Sequence, residues 1–321
     1  MPQVDLVIIG AGPTGLFSAY YAGFRGLSVA VVDSLPELGG QITAMYPEKA
    51  ILDVAGFPSI KGRDLVAGLV AQADTAKPDY FLDRTASTLT HEGERVVVGL
   101  DDGTLIEAGA VLITAGIGKF SPRALPAGEG WAGRGLEFFV PSFAPYHGKD
   151  VVIVGGGDSA FDWAQHLEPM ARSVTLVHRR DAFRAHERTV AAVRDSRVEI
   201  ITRAQVTALR GETSVEEVEI VVDGQDPIVR PAQAVVAALG FIADLGALQT
   251  WGITTEKRHV VVDTSMRTNL ERVFAAGDIT EYPGKVRLIA VGFGEAATAV
   301  NNAAVAIDPS AHVFPGHSSE G

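Results

Sequence analysis

The sequence predicts an α/β fold of two domains, and three observations support this prediction. The chain has 321 residues, about twice the size of an ordinary domain. It is 47% hydrophobic and 21% charged with 35 glycines, a composition typical of globular α/β proteins rather than disordered chains. An apolar strand followed by a glycine turn and a helix occurs twice, at residues 6–15 and at residues 151–160.

The first glycine turn has the pattern of a dinucleotide site. Strand DLVIIG leads into Gly10, Gly12 and Gly15, and PTGLFSAYYAGFRG continues as a predicted helix. In such a turn the first glycine allows the bend, the second admits a pyrophosphate, and the third lets helix and strand pack closely. A second strand, SVAVVD, ends in Asp33, where an acid accepts hydrogen bonds from a ribose.

The second turn differs at the position that reads the ribose. Gly155 and Gly157 are followed by the predicted helix DSAFDWAQHL and strand SVTLVH. The spacing that leads to an acid in the first unit leads here to His178, followed by Arg179 and Arg180. Guanidinium groups bind a 2′-phosphate through charge-assisted hydrogen bonds. The first site therefore suits FAD or NAD, and the second suits NADP(H).

A later segment decides which nucleotide occupies the first site. ERVFAAGDIT brings Gly277 and Asp278 to the end of a predicted strand. VRLIAVGFGEAATAVNNAAVAI has a start interrupted by glycines and continues as a long apolar helix. LGGQ at residues 38–41 contains two more glycines, whose backbone a cofactor could approach closely. A segment that returns to cover an extended dinucleotide is what a buried flavin requires, so we expect FAD there.

Composition excludes several other chemistries. There is no cysteine, which removes disulfides and thiolate ligands, and the eight histidines show no metal-binding spacing. The net charge of −12 argues against nucleic-acid binding. No membrane span or signal peptide is expected, which favours the cytoplasm. Residues 171–210 nevertheless hold nine arginines against four acids, either a solvated helix face or a site for something anionic.

These motifs together resemble the thioredoxin reductase group of flavoproteins. The matching segments are the two glycine turns, LGGQ, ITAGIGKF, HRRDAFRAHE, AALGF and FAAGDI. The resemblance implies two Rossmann-like domains of three-layer ββα form, with an NADPH domain inserted into an FAD domain. It covers essentially the whole chain.

One departure decides which branch the chain resembles. Thioredoxin reductases carry a Cys-x-x-Cys pair before the second glycine turn, but residues 135–150 read GLEFFVPSFAPYHGKD. Without a dithiol, electrons cannot leave the flavin through a protein disulfide. The chain is instead similar to the cysteine-free ferredoxin (flavodoxin)–NADP reductases, with AMYPEKAILDVAGFP, GGGDSAFDWA, GEAATAVNNA and the tail PGHSS as matches.

This second resemblance implies an activity and its residues. NADPH would give a hydride to flavin N5, and the flavin would pass single electrons to ferredoxin or flavodoxin, or run in reverse. Tyr46 would stack on one flavin face, and Asp278 would hold the ribityl chain. His317 and Ser318 would cover the other face from the tail of the partner subunit in a homodimer.

The expected domains are residues 1–115 with 244–321 for FAD, and residues 116–243 for NADPH. The turn DDG at residues 101–103 predicts a β-hairpin in the first. The expected FAD contacts are Gly10, Gly12, Pro13, Thr14, Gly15, Asp33, Gly40, Gln41, Tyr46, Gly116, Asp278, Ile279 and Ala290. The expected NADPH contacts are Gly155, Gly157, Asp158, Ser159, Ala160, His178, Arg179, Arg180 and Arg184.

Two other functions fit the same motifs. One is an NADPH-dependent reductase of free flavin, quinone or another small acceptor, which would need no docking surface for a carrier protein. The other is a non-catalytic flavoprotein that senses NADPH and changes shape for a partner. Cytochrome c reduction that requires added ferredoxin would favour the carrier reductase, and a flavin that NADPH does not reduce would favour the sensor.

Overall fold

The computed structural model describes residues 1–314 and 316. In that part of the chain the α-helices are α1 Pro13–Phe24, α2 Gln41–Met45, α3 Gly62–Ala73, α4 Asp158–Leu167, α5 Glu187–Arg194 and α6 Ile289–Ile307. The strands are β1 Gln3–Ile9, β2 Val29–Val32, β3 Ala50–Ile51, β4 Ile60–Lys61, β5 Asp79–Phe81, β6 Ala86–Glu92, β7 Arg95–Leu100, β8 Leu105–Ile113, β9 Lys119–Pro122, β10 Leu136–Glu137, β11 Asp150–Val154, β12 Ser173–Val177, β13 Glu199–Ile201, β14 Ala204–Arg210, β15 Glu217–Val222, β16 Ile228–Pro231, β17 Ala234–Ala237, β18 Phe241–Asp244, β19 Thr255–Glu256, β20 His259–Val261, β21 Val273–Ala275 and β22 Thr280–Glu281.

The chain folds into two compact α/β units, one inserted into the other. The first unit comprises residues 1–120 and the chain from Ala243 onward, and the second unit comprises residues 121–242. The two crossings, β9 and β18, pair with each other as a two-stranded sheet. The predicted class, two Rossmann-like units with the second inserted, is confirmed. The first unit is interrupted after Phe120 and resumes at Ala243.

The first unit is built on a seven-stranded sheet. Its order is β5-β2-β1-β8-β7-β6, and β21 also pairs with β8. Strand β8 forms an antiparallel pair with β7 through its first half and a parallel pair with β21 through its second half. The carboxyl ends of parallel β1, β2, β8 and β21 therefore lie at one edge of the sheet, where ligands bind in open parallel sheets.

The core of the first unit follows from its central strands. Strands β1 and β8 are buried along most of their length, as expected for strands covered on both faces. Helices α1 and α6 pack against each other, and both bury small residues, including Ala19 and Ala22 in α1 and Ala299 and Ala303 in α6. The predicted hairpin at residues 101–103 is confirmed between β7 and β8, with Gly103 at φ +87°.

The second unit contains a five-stranded parallel sheet in the order β10-β17-β11-β12-β13 and a three-stranded antiparallel sheet, β14-β15-β16. Helix α4 covers the residues predicted from DSAFDWAQHL and buries Phe161, Trp163 and Leu167. Over residues 1–314, no helix is long and apolar enough to cross a membrane.

Candidate functional site

Two of the three glycines in the first turn are required by packing inside the protein. Gly10 has φ +113°, and a Cβ atom there would lie 2.5 Å from the carbonyl oxygen of Thr114. A Cβ atom at Gly15, in the first turn of α1, would lie 1.8 Å from the carbonyl oxygen of Gly10. Both positions therefore exclude any side chain, because the turn, the helix and the end of β8 touch through their backbones.

Gly12 is different, because the space beside it is open. A Cβ atom at Gly12 would have no heavy atom of the surrounding described chain within 4 Å. Gly12 is the N-cap of α1, and among the described residues no side chain caps this helix. The N–H groups of the first helical turn therefore face outward, in the arrangement that binds a phosphate anion. The turn fits the pyrophosphate of a dinucleotide.

A cavity of about 480 Å³ opens on this turn within the first unit, a volume in the usual range for cofactor sites. Ten of the residues predicted from the sequence line it: Gly10, Gly12, Pro13, Thr14, Asp33, Gly40, Gln41, Tyr46, Gly116 and Asp278.

Three residues predicted to contact FAD do not line the cavity. Gly15 lies beneath the turn against Gly10, and Ile279 is fully buried in the core. Ala290 is exposed on α6, and its neighbour Ile289 faces the cavity instead. These two neighbours face different directions because successive side chains of a helix point about 100° apart around its axis.

The sequence missed the loops that complete the cavity wall. The cavity is also lined by residues that follow β2, β5, β8 and β18 or belong to the hairpin turn. They are Ser34, Leu35, Asp83, Arg84, Thr85, Ala86, Asp101, Thr114, Ala115, Gly118, Leu245, Gly246, Ala247 and Leu248. Thr114, Ala115 and Gly118 belong to ITAGIGKF and Asp101 to DDG, but no short motif marks the other ten. Their only signal is that they follow sheet strands, since ligands bind at the carboxyl ends of parallel strands.

Asp33 both lines the cavity and holds the turn together. Its Oδ2 accepts the N–H of Ala11 at 2.6 Å, and its Oδ1 accepts the N–H of Leu35 at 2.8 Å. Burial raises the pKa of Asp33, while these two backbone hydrogen bonds lower it. Each carboxylate oxygen can accept a further hydrogen bond, so the side chain can serve a ribose hydroxyl as well.

Helix α2 brings Tyr46 to the cavity. Gly40 precedes this helix with φ +58°, and a Cβ atom there would lie 2.9 Å from the Cα atom of Gly12. Tyr46 ends the helix and lines the cavity. Burial, followed by the carboxylates of Asp278 and Asp53, raises the pKa of Tyr46 to about 12. The phenol therefore stays neutral at physiological pH and keeps a proton to donate.

The chain after β21 brings Asp278 to the same cavity as the glycine turn. Strand β21 ends at Ala275, and Gly277 follows with φ +84°, where a Cβ atom would lie 2.8 Å from Thr14 Oγ1. Asp278 lines the cavity, and its pKa is raised by burial but lowered by the nearby Lys285.

In the glycine turn of the second unit, too, one glycine is required by packing and another faces open space. A Cβ atom at Gly155 would lie 2.4 Å from the carbonyl oxygen of Ala238, whereas a Cβ atom at Gly157 would meet no described atom within 4 Å. Gly157 is the N-cap of α4, again without a side-chain cap among the described residues. Ala160 is fully buried, in the position of Gly15. This turn also fits a pyrophosphate.

Asp158 and His178 shape the surroundings of this second turn. Asp158 Oδ1 accepts the N–H of His186 at 2.8 Å, so this side chain links α4 to the start of α5. A Cβ atom at Gly156 would lie 2.3 Å from the His178 ring, which explains the extra glycine. Burial lowers the pKa of His178, and the charges of Arg179 and Arg180 lower it further. The imidazole is therefore neutral at pH 7.

The nine arginines of residues 171–210 divide into two groups. Four form ion pairs with acids, and Arg194 lies over the ring of Phe183; the pairs are Arg172–Asp150, Arg197–Glu168, Arg203–Asp181 and Arg210–Glu219. No ion pair within the described chain involves the other four, Arg179, Arg180, Arg184 and Arg188, and all four are exposed. Arg184 also donates its backbone N–H to the carbonyl oxygen of Gly156 at 2.8 Å. The arginines around the second turn are therefore free to bind an anion.

His317 and Ser318, predicted to act at the flavin, lie outside the described residues. No cluster of potential metal ligands occurs in the part of the chain that the structure describes.

The chain is similar to known proteins over nearly its whole length. The family model for pyridine nucleotide-disulphide oxidoreductases matches residues 4–304. A ferredoxin–NADP reductase of a Nocardioides species is 79% identical over 99% of this chain and 98% of its own length. A protein of the same name from Salinispora arenicola is 63% identical over 100% of both chains. Among solved structures, thioredoxin reductase of T. acidophilum is 25% identical with a TM-score of 0.80, covering 97% of this chain and 99% of its own.

Proposed function

Because this chain belongs to the pyridine nucleotide-disulphide oxidoreductase family, we propose that it transfers electrons between NADPH and ferredoxin or flavodoxin through FAD. The observation that carries the proposal is the pair of open glycine turns, one in each unit, in a chain without cysteine. Two nucleotides can bind, but no protein disulfide can accept the electrons. The electrons must therefore leave to a separate acceptor.

The residues of the first unit would bind and orient FAD. The N–H groups at the start of α1 would hold the pyrophosphate beside Gly12, and Asp33 would accept hydrogen bonds from the adenosine ribose. Asp278 would face the ribityl chain, and Tyr46 would pack against the isoalloxazine ring. Bound FAD supplies the exchange between one hydride and two single electrons. The protein orients the rings and excludes water.

The second unit would bind NADPH and select it against NADH. Gly157 and the start of α4 would receive the pyrophosphate, and Arg179 and Arg180 would bind the 2′-phosphate. Arg184 lies beside the same turn. We propose the domain assignment that follows: the first unit is the FAD-binding domain and the second unit is the NADPH-binding domain.

The proposed role of a carrier protein is tested by measuring whether turnover requires it. NADPH should reduce the protein's flavin rapidly, and cytochrome c reduction should follow only when ferredoxin or flavodoxin is added. Because the chain as a whole carries a charge of −12, an acidic carrier would have to dock on a locally basic surface, such as the part of residues 171–210 that does not bind NADPH. Carrier-dependent turnover should then fall as salt rises, because the screening length shortens to about 10 Å at 0.1 M.

A small neutral dye is the matched control for this experiment. Its reduction by NADPH uses the same flavin without protein docking, so it should respond much less to salt. Equal responses for dye and ferredoxin would argue against electrostatic docking, and cytochrome c reduction without any carrier would argue against the proposed acceptor.

The C-terminal tail is part of the proposal. After α6 the chain is tied to α1, because Arg25 Nη2 donates to the carbonyl oxygen of His312 at 2.9 Å. We propose that the following residues cross to the partner subunit of a homodimer, where His317 and Ser318 cover the flavin face opposite Tyr46. The cytoplasmic location expected from the sequence belongs to the same proposal.

Deleting residues 315–321 should leave FAD bound but lower ferredoxin turnover. The glycine turn and the cavity of the first unit remain, while one ring face becomes open. NADPH should reduce this flavin as fast as in the full chain or faster, because the tail no longer has to move before the nicotinamide stacks. Stopped-flow reduction and steady-state turnover measure the two effects, and full-length rates in both assays would contradict the proposed role.

A further inference from the structure

Two opposite charges lie buried behind the Gly277–Asp278 turn of the first unit. Lys285 Nζ is 2.5 Å from Glu295 Oε1, and the two side chains are 1% and 5% exposed. Removing two charges from water is unfavourable, and such a buried pair is often no more stabilising than apolar residues of similar volume. A contribution to stability therefore does not by itself explain why the pair is there.

The two charges hold both polar groups of one backbone residue. The N–H of Gly277 donates to Glu295 Oε2 at 2.7 Å. Lys285 Nζ donates to the carbonyl oxygen of Gly277 at 3.0 Å. The hydroxyl of Thr280 donates to the same carbonyl at 2.8 Å, and the hydroxyl of Tyr282 donates to Glu295. The backbone at Gly277 is thus held from both sides by charge-assisted hydrogen bonds.

This arrangement matters because the next residue reaches the cofactor cavity. Gly277 adopts φ +84°, and a Cβ atom there would lie 2.8 Å from Thr14 Oγ1. Asp278 follows and lines the cavity, as does Ile289 at the start of α6, the helix that carries Glu295. The ion pair therefore connects the turn to α6 at the point where both face the cavity.

We propose that Glu295 and Lys285 are positioning residues that hold Asp278 against FAD and that their charge balance sets the reduction potential of the bound flavin. The inference rests on the proposed FAD site. Reduction adds negative charge to the flavin, which a nearby cation favours and a nearby anion opposes. Both charges act at the cavity wall, since Lys285 lowers the pKa of Asp278 and Glu295 raises it.

The test compares Glu295→Gln, Lys285→Met and the double variant. FAD affinity is measured by fluorescence titration of the apoprotein, and the midpoint potential by spectroscopic redox titration. Each single change should weaken FAD binding by about tenfold, because one charge-assisted hydrogen bond to Gly277 is lost or weakened. Glu295→Gln should raise the potential, and Lys285→Met should lower it. The double variant should return close to the wild-type potential but bind FAD several-fold more weakly.

Glu107→Gln is the matched control, because Glu107 also forms an ion pair in the first unit, with Arg95, but does not line the cavity. It should change neither FAD affinity nor potential. A structural role alone would not move the potential in opposite directions in the two single variants. Shifts of the same sign, or unchanged potentials, would overturn the inference.

The double variant keeps the test decisive if a single variant fails to fold, because it leaves no unpaired charge in the core. Wild-type FAD affinity in the double variant would overturn the positioning role. A wild-type protein that binds no FAD would instead refute the proposed function itself, so the two failures are distinguishable.

Discussion

Replacing Gly12 by valine is expected to weaken FAD binding by about a hundredfold while the first unit still folds. The backbone of Gly12, at φ −72°, is open to any residue, and a Cβ atom there meets no described neighbour within 4 Å. The added side chain would occupy the space through which a pyrophosphate approaches the helix. Forcing atoms into a filled space costs about 1–3 kcal/mol, and each 1.4 kcal/mol is about tenfold in affinity. FAD content after purification and titration of the apoprotein measure the loss.

Gly68→Val is the matched control, because Gly68 lies on α3 and a Cβ atom there also meets no described atom within 4 Å. It should retain FAD. Gly15→Ala provides the contrast: its Cβ atom would clash with the backbone of Gly10, so loss of thermal stability should accompany loss of FAD. A Gly12→Val protein that purifies fully loaded with FAD would refute the assignment of this turn to the pyrophosphate.

Replacing Arg179 and Arg180 together by alanine is expected to lower kcat/KM for NADPH by about tenfold to a hundredfold. Neither guanidinium pairs with an acid of the described chain, so both are available to a 2′-phosphate. Loss of a hydrogen bond between charged groups costs about 1.5–3 kcal/mol. NADH has no 2′-phosphate, so its kcat/KM should change little, and the preference for NADPH should nearly disappear.

Arg197→Ala is the control for this prediction. Arg197 belongs to the same arginine-rich segment, but it is paired with Glu168. Its removal should leave the ratio of the two kcat/KM values unchanged. If kcat/KM fell equally for NADPH and NADH in the variant lacking Arg179 and Arg180, these residues would not bind the 2′-phosphate.

Local sequence was sufficient for the elements that carry the two turns. Helix α4 occupies the residues of DSAFDWAQHL because its apolar side chains recur at helical spacing. Helix α1 begins at Pro13 and is followed by Gly26 at φ +75°. Proline is favoured at the first position of a helix, and glycine just beyond its end. The absence of cysteine was likewise decisive without a structure, because it removes the disulfide route for electrons.

The sequence by itself therefore determined the class of fold, the two nucleotide turns and the chemistry that the chain lacks, since each depends on neighbouring residues or on composition. Only the tertiary structure decided which glycines serve packing and which serve a ligand, because the clashes at Gly10 and Gly15 come from segments brought together by the sheet. It also decided which arginines are neutralised and that Glu295 and Lys285 hold Gly277. These partners are brought together by the folded chain, and their contacts form only when the apolar core has placed the segments side by side.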